Sequence, residues 1–158
     1  MAAPSPTARG TPDGIPLKDG FSTLLTIYSD LTIEFWEKTV KPPGIDGGDA
    51  IDGTTMHNTT WRVQRPRSLK SLTPLSLTAV YDPQVYASVL ARINDEDTMT
   101  ITFPDGSTLA FFGFVRNMEM DSNEEGSQPT FTMEVIPTNW DPTNNVEAGP
   151  VLTSVAGT

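Results

Sequence analysis

Three aspartates, each three residues from the next, are the first candidates for chemistry in this chain. Asp46, Asp49 and Asp52 lie in a Gly-rich stretch that could wrap a calcium ion. An EF-hand loop places oxygen ligands at alternate positions around a central glycine and ends with a glutamate. This stretch has neither the alternate spacing nor the distal glutamate. The pattern therefore favours a polar loop whose Asp side chains accept hydrogen bonds from nearby backbone amides.

The single histidine, His57, lacks the partners that catalysis or zinc binding requires. A Ser-His-Asp triad needs a serine on a strained turn, typically within Gly-x-Ser-x-Gly, and no such pattern is present. The chain has no cysteine, so a zinc site would need several carboxylates around one histidine, which is an unusual ligand set. We interpret His57 as a loop residue that contacts a neighbour.

Carboxylate pairs of the kind that glycosidases use lie in polar surroundings. Glu124, Glu125 and the run 95–97 fall in expected loops, and nothing nearby indicates the apolar pocket that raises the pKa of a general acid. The Gly47-Gly48 pair is not followed by the Gly-Lys of a phosphate-binding loop. The sequence therefore predicts no enzyme activity, no cofactor and no metal site.

Composition bounds the remaining possibilities. The length of 158 residues predicts a single domain, and the net charge of −10 opposes binding to a phosphate backbone. No window approaches the roughly 18 apolar residues of a membrane span, and the N-terminus lacks the apolar region of a secretory signal. We expect a flexible N-terminal arm over residues 1–14, one β-sandwich domain over 15–143 and a flexible C-terminal tail over 144–158.

Period-two alternation of apolar residues predicts a mainly β fold. Thr98–Phe103 and the segment 108–120 flank Pro-Asp-Gly-Ser at 104–107, which predicts a hairpin in which Gly113 marks a bulge. Further strands are expected at Leu24–Tyr28, Leu31–Lys38, Thr60–Gln64, Leu75–Tyr81 and Thr130–Ile136.

One flanking α-helix is predicted over about residues 82–93. Asp82 is a suitable N-cap and Pro83 suits the first helical position. We expect the helix to end near Asn94 and to cover the β core with one apolar face, formed by Val85, Tyr86, Val89, Leu90 and Ile93.

The stretch from Lys41 to Asn58 is far longer than a hairpin turn needs. Loops of more than about 12–15 residues without structure of their own are usually functional or disordered. A cluster of basic residues follows it, and a local basic segment in an acidic protein suits an acidic patch on another copy. Head-to-tail contacts of that kind build rings and filaments. We predict that this region contacts a protein partner and is disordered until it docks.

The order of several segments resembles that of a known family. KPPGIDGGDAIDGTTMHN is followed by RPRSLKSLTPLSLTAVYDP, then by the predicted helix, TITFPDGSTLAFFGFV, an acidic loop and FTMEVIPTNWDP. From about Gly14 to Pro150 the chain resembles the major tail proteins, or tail tube proteins, of long-tailed bacteriophages.

The resemblance implies a β-sandwich or strongly curved barrel with one flanking helix and a long inter-strand loop over about residues 41–58. It implies a structural virion protein, made in the host cytoplasm, that forms hexameric rings stacked into a hollow tube. Genome DNA would cross the lumen during ejection without specific binding. The implied partners are other copies of the chain and the tape measure, tail terminator and distal tail proteins, with no membrane.

By the same resemblance, the loop and the basic segment contain the expected subunit contacts. We expect that deleting Gly47–Gly53 leaves a folded monomer that cannot form tubes. The alternative is a non-catalytic carbohydrate- or protein-binding β-sandwich module, which exposed Trp36, Trp61 and Trp140 on one face would favour. The candidate interface residues are Lys41, Pro42, Pro43, Asp46, Asp49, Asp52, Met56, His57, Asn58, Arg65, Arg67, Leu69 and Lys70.

Overall fold

A computed structural model of the protein describes residues 23–28 and 33–154. The described chain is mainly β with one helix. In chain order its elements are β1 Leu24–Ile27, β2 Glu37–Lys41, β3 Ile45–Asp46, β4 Ile51–Asp52, β5 Gln64–Arg65, β6 Ser71–Leu72, β7 Leu75–Val80, α1 Pro83–Leu90, β8 Asp97–Thr102, β9 Thr108–Met120, β10 Thr130–Pro137, β11 Trp140–Asp141, β12 Val146–Glu147 and β13 Val151–Thr153.

Seven strands form one antiparallel sheet in the order β1-β8-β9-β10-β7-β2, with β13 paired to the first residues of β9. The sheet curls until its edge strands, β1 and β2, lie next to each other. The N–H of Leu25 in β1 donates to Glu37 Oε1 in β2 at 3.0 Å. Within the described residues no backbone ladder joins β1 to β2. The sheet is therefore strongly curved but is not a closed barrel.

The core lies on the concave face of this sheet. Alternate residues of β7, β8 and β10 are completely buried, as the period-two pattern of the sequence predicts. Phe131 packs against Phe35 and Tyr86, with ring centroids 6.1 and 6.3 Å apart respectively. Ile33 and Phe35 are buried while Glu34 and Trp36 are exposed, which confirms the alternation predicted there, although the strand itself begins only at Glu37 and Leu31 lies outside the described residues.

The hairpin predicted around residues 104–107 joins β8 to β9. The N–H of Phe103 donates to the carbonyl of Ser107 at 2.9 Å, and Asp105 accepts from the Ser107 amide at 2.9 Å. Gly106 has a φ of 88°, in the left-handed region that glycine adopts without strain.

Gly113 does not mark the bulge in β9. The extra residue is Arg116, because the pairing with β10 skips it between Glu134 and Val135. A Cβ at Gly113 would lie 2.7 Å from the carbonyl oxygen of Ile136. Glycine is therefore required for a close backbone approach, which is the other common reason for a glycine inside a strand.

The helix is confirmed, with a shorter extent than predicted. Asp82 caps it, since its Oδ1 accepts from the N–H of Gln84 at 3.0 Å. The helix ends at Leu90, and the chain leaves through a turn in which Asn94 has a φ of 68°. Val89 is completely buried, but Leu90, which we placed on the same face, is 54% exposed.

Two other segments differ from the sequence prediction. Of the strand expected at Thr60–Gln64, only Gln64 has strand pairing, as the first residue of β5. The strands β12 and β13 lie within the range 144–158 that was expected to be a flexible tail, and β13 pairs with β9. The expected N-terminal arm, residues 1–14, lies outside the described residues.

Candidate subunit-contact surface

The long loop and the basic segment are the two sides of one β-hairpin, which we call the arm and define as residues 44–73. β3 pairs with β6 and β4 pairs with β5, both antiparallel. At the base of the arm, next to the main sheet, the N–H of Thr73 donates to the carbonyl of Gly44 at 2.8 Å. Beyond the β4–β5 ladder, the N–H of Gly53 donates to the carbonyl of Val63 at 2.8 Å. The arm therefore continues the pairing of β2 with β7 outward from the sheet.

This hairpin corrects the prediction of an unpaired loop over 41–58. The sequence signal was hidden because each ladder is only two residues long and the intervening Gly and Asp residues obscure the alternation. Pairing over such short runs depends on the partner strand, which is distant in sequence.

The aspartates of the arm shape its backbone. Asp46 Oδ1 accepts from the N–H of Gly48 at 2.8 Å, and Asp52 Oδ1 accepts from the N–H of Thr54 at 2.9 Å. Hydrogen bonding by the side chain and amide of Thr54 lowers the pKa of the Asp52 carboxyl. The interpretation of these residues as partners of nearby amides is confirmed for Asp46 and Asp52.

Two arginines hold the strands of the arm together. Arg67 crosses to the opposite strand, where its Nε donates to the carbonyl of Asp49 at 2.8 Å. Its side chain also fills the space beside Gly48, which has a φ of 76° and where a Cβ would lie 2.8 Å from Arg67 Cδ. Arg62 lies 3.9 Å from Asp52 in a solvent-exposed ion pair.

The tip of the arm is a tight, locally bonded turn. The side-chain oxygen of Asn58 accepts from the N–H of Thr55 at 2.7 Å, and the N–H of His57 donates to Thr55 Oγ1 at 3.3 Å. Met56, beside them, is 100% exposed. The histidine thus lies in the turn at the end of the arm, where its backbone N–H bonds to Thr55.

The arm exposes large apolar side chains that contact no core. Trp61 is 80% exposed and Leu69 81%, and Ile45 is 69% exposed. Within the arm, Leu72 at the base is the one described apolar side chain that packs against the core, and it is only partly buried. Scattered apolar residues are ordinary on a protein surface, but three large ones on one projecting ribbon make the arm a candidate contact surface.

Most candidate interface residues are accessible on this surface. Pro43 is the exception, because it is buried at the base of the arm. Pro42 is half-buried beside it. The remaining ones are exposed, namely Lys41, Asp46, Asp49, Asp52, Met56, His57, Asn58, Arg65, Arg67, Leu69 and Lys70.

Charge is divided unequally between the arm and the rest of the chain. The arm holds four Lys and Arg and three Asp, which gives it a net charge of +1. Because the whole chain carries −10, the residues outside the arm carry −11. After Arg116 the chain contains no Lys or Arg but seven Asp and Glu. The arm therefore carries a local excess of positive charge that an acidic surface would attract.

The acidic loop predicted between β9 and β10 is a turn at residues 121–129, which we call the acidic turn. Asp121 is fixed there, since its carboxylate accepts from Thr130 Oγ1 at 2.7 Å and from Thr132 Oγ1 at 3.0 Å. Glu124 and Glu125 are exposed and form no ion pair within the described residues. They are anions that remain available to a partner.

Other possible sites are weaker. Among residues 23–28 and 33–154 no three His, Asp or Glu side chains are grouped to hold a metal ion, and no described helix has the length and apolar character to cross a membrane. A shallow cleft of about 480 Å³ at the base of the arm is lined by residues that include Lys41, Asn117 and Glu134. It is partly open to solvent and most of its lining residues carry polar side chains, unlike the enclosed pockets that bury small ligands.

The three tryptophans do not form one platform. Trp36 lies at the end of β7, where its carbonyl accepts from the N–H of Val80 at 2.9 Å. Trp61 lies on the arm, which leaves the sheet at the start of β7, and Trp140 follows β10. The structure therefore separates Trp36 from Trp61 by the length of β7.

Comparisons with solved structures identify the fold. A chain in a structure titled as the virion of a native gene transfer agent particle superposes with a TM-score of 0.57 at 11% sequence identity, covering 87% of this chain and 100% of that chain. A chain in a structure of the tail of an empty gene transfer agent particle, obtained by helical refinement with C6 symmetry, superposes with a TM-score of 0.57 at 13% identity, covering 89% and 100%.

The fold is that of a gene transfer agent tail chain. No protein-family model matches this sequence, and no curated protein is similar to it. The likeness is therefore one of structure, and it confirms the mainly β, single-helix fold class that the sequence predicts.

Proposed function

We propose that this protein is a structural tail protein that assembles into stacked hexameric rings, forming a tube through which genome DNA passes. The observation that carries the proposal is the arm: a projecting hairpin with exposed apolar and basic side chains, joined to the described core only through Leu72 at its base. A fold shared with a chain from a C6-symmetric tail supports the sixfold ring.

The arm suits self-association better than ligand binding. Heterologous contacts, in which one surface of a subunit meets a different surface of the next, generate rings and filaments. A protruding ribbon that leaves its own subunit provides such a surface. A catalytic role has no comparable support, because His57 is exposed at the tip of the arm and no described group of three His, Asp or Glu side chains converges on one site.

We further propose that the tube surrounds DNA without holding it. The residues outside the arm carry a net charge of −11, so a ring of six copies concentrates negative charge on the parts of its subunits other than the arms. An acidic lumen would repel the phosphate backbone and so let DNA slide. A tube whose lumen is neutral or basic would contradict this part of the proposal.

Removal of the arm tests the proposal. The register pairs Asp46 with Ser71, so residues 47–70 can be replaced by Asn-Gly, which makes a two-residue hairpin turn. This replacement keeps Leu72, which packs against the core. It is better matched to the structure than deletion of Gly47–Gly53, which would leave the returning strand without its partner.

We expect the full chain to form rings or tubes in negative-stain electron microscopy, whereas the shortened chain remains monomeric. Its thermal unfolding should remain within a few degrees of that of the full chain, because it retains every buried apolar residue. Normal tubes from the shortened chain would refute the role of the arm. A full chain that remains monomeric at millimolar concentration and binds glycans would favour the binding-module alternative.

A further inference from the structure

We propose that the arm of one copy docks on the acidic turn of a second copy in the next ring. This inference rests on the proposed tube function and names the surface that receives the arm. It arises from three features of the described chain: the positions of the two surfaces, their charges and their exposed apolar side chains.

The arm and the acidic turn lie at opposite ends of the same sheet. β10 begins directly after the acidic turn, with Thr130 opposite Val80, and it runs antiparallel to β7 until Val135 lies opposite Leu75. β7 begins at Leu75, immediately after the arm. A copy displaced along the strands therefore presents its acidic turn to the arm of its neighbour, which is a head-to-tail contact that can repeat without limit.

The arm is long enough for this contact. It continues the pairing from Gly44 to Gly53, and these ten residues, at about 3.3 Å each when extended, reach at most roughly 33 Å. β10, with eight residues, extends only about 26 Å on the same measure. The arm thus projects from its own subunit by about the length of β10.

The free charges of the two surfaces are opposite. Within the described residues, Arg65 and Lys70 form no ion pair on the arm, whereas Arg62 pairs with Asp52. Glu124 and Glu125 likewise lack a basic partner on the acidic turn. Asp46 and Asp49 on the arm also form no ion pair within the described residues, but the arm keeps a net charge of +1 whereas the acidic turn carries −3. Complementary charge of this kind steers and registers an association.

Apolar side chains flank the charges on both surfaces. Met120, at the end of β9 beside the acidic turn, is 47% exposed, and Trp36, at the same end of the sheet, is 69% exposed. The arm offers Trp61 and Leu69, both at least 80% exposed. An interface with aromatic and Met anchors next to charged pairs has the composition that protein contacts favour.

Charge exchange tests the pairing. Two variants each reverse one surface: R65E/K70E on the arm and E124K/E125K on the acidic turn. A third variant combines all four substitutions, which keeps the net charge of the chain. The control for E124K/E125K is D95K/E96K, which makes the same change of net charge as that variant at two exposed residues before β8.

We expect each single-surface reversal to raise the concentration needed for tube formation at least about tenfold, since like charges placed opposite each other are strongly unfavourable. The four-residue variant should recover tube formation to within a few-fold of the wild type. The control should assemble like the wild type. Circular dichroism and thermal unfolding report whether each variant folds before its assembly is compared.

The outcomes separate this inference from the function on which it rests. Wild-type tubes together with normal tubes from both reversals would overturn the docking pair and leave the tube function standing. Failure of the folded four-residue variant to recover would also overturn the pair. Failure of the wild type to form rings or tubes would instead count against the proposed function itself.

Discussion

Trp61 allows the contact role of the arm to be separated from the stability of the fold. Its side chain is 80% exposed, so Trp61→Ala removes almost no buried surface from the monomer. A surface substitution of this kind changes the free energy of unfolding by no more than about 0.5 kcal/mol. The same residue should matter greatly once the arm lies between subunits.

The size of that effect follows from the exposed area. An aromatic side chain offers about 150–250 Å², of which the exposed four-fifths is roughly 120–200 Å². At about 25 cal/mol per Å², complete burial would contribute about 3–5 kcal/mol. Alanine retains part of this area, so we expect a loss of about 2–4 kcal/mol per subunit contact, typical of an interface hot spot. This corresponds to roughly a 30- to 700-fold higher concentration for assembly.

Sedimentation velocity and negative-stain microscopy across a concentration series would measure this shift, with chemical unfolding in parallel. Leu77→Ala is the opposite control, because Leu77 is completely buried and its truncation should cost about 2–5 kcal/mol of unfolding free energy. Unchanged assembly of a folded Trp61→Ala variant would refute the placement of Trp61 in a subunit contact.

Three further predictions concern the fold. Gly113→Ala should lower the free energy of unfolding by roughly 1–3 kcal/mol, because the new Cβ would lie 2.7 Å from the Ile136 carbonyl oxygen. An unchanged denaturant midpoint would show that β9 and β10 can move apart there without loss of stability. Asn144→Ala should raise the pKa of Asp141, which the Asn144 side chain lowers. That interaction stabilises the fold at pH values above the pKa of Asp141 in the unfolded chain. Its contribution is lost as the pH falls through the lower pKa of Asp141 in the folded protein. If NMR titration gave the same Asp141 pKa in Asn144→Ala as in the wild type, the prediction would be contradicted. In hydrogen exchange of the monomer, the Gly53 and Thr73 amides should exchange before that of Leu77, because the arm has no core; equal protection would be inconsistent with an arm stabilised by docking.

Much of the fold could be predicted from local sequence patterns. The alternation in β7, β8 and β10 reflects a sheet with one buried face, which local sequence reports directly. Asp82 followed by Pro83 fixes the start of the helix through hydrogen bonding and a restricted φ. The end of the helix was less predictable, because Leu90 matches the apolar period although the chain turns before that face is buried.

The arm shows where local patterns fail. Its strands pair in runs of two, and the widest pair, Ile45 with Leu72, has 26 residues between its members, so nothing in the order of side chains reveals the ladder. Gly113 shows a related ambiguity, because a glycine inside a strand fits both a bulge and a close backbone approach. Charge was more informative, because the basic cluster near Arg65 and the acidic run near Glu124 are visible in sequence. Their positions at opposite ends of one sheet become apparent only from the strand register.

A cryo-electron microscopy reconstruction of tubes assembled from the wild-type chain would test the central claim most directly. We predict sixfold rings in which residues 44–73 leave their own subunit and lie against a neighbouring copy, with Trp61 buried in the contact. A tube in which the arm points into solvent and contacts no other subunit would contradict this account.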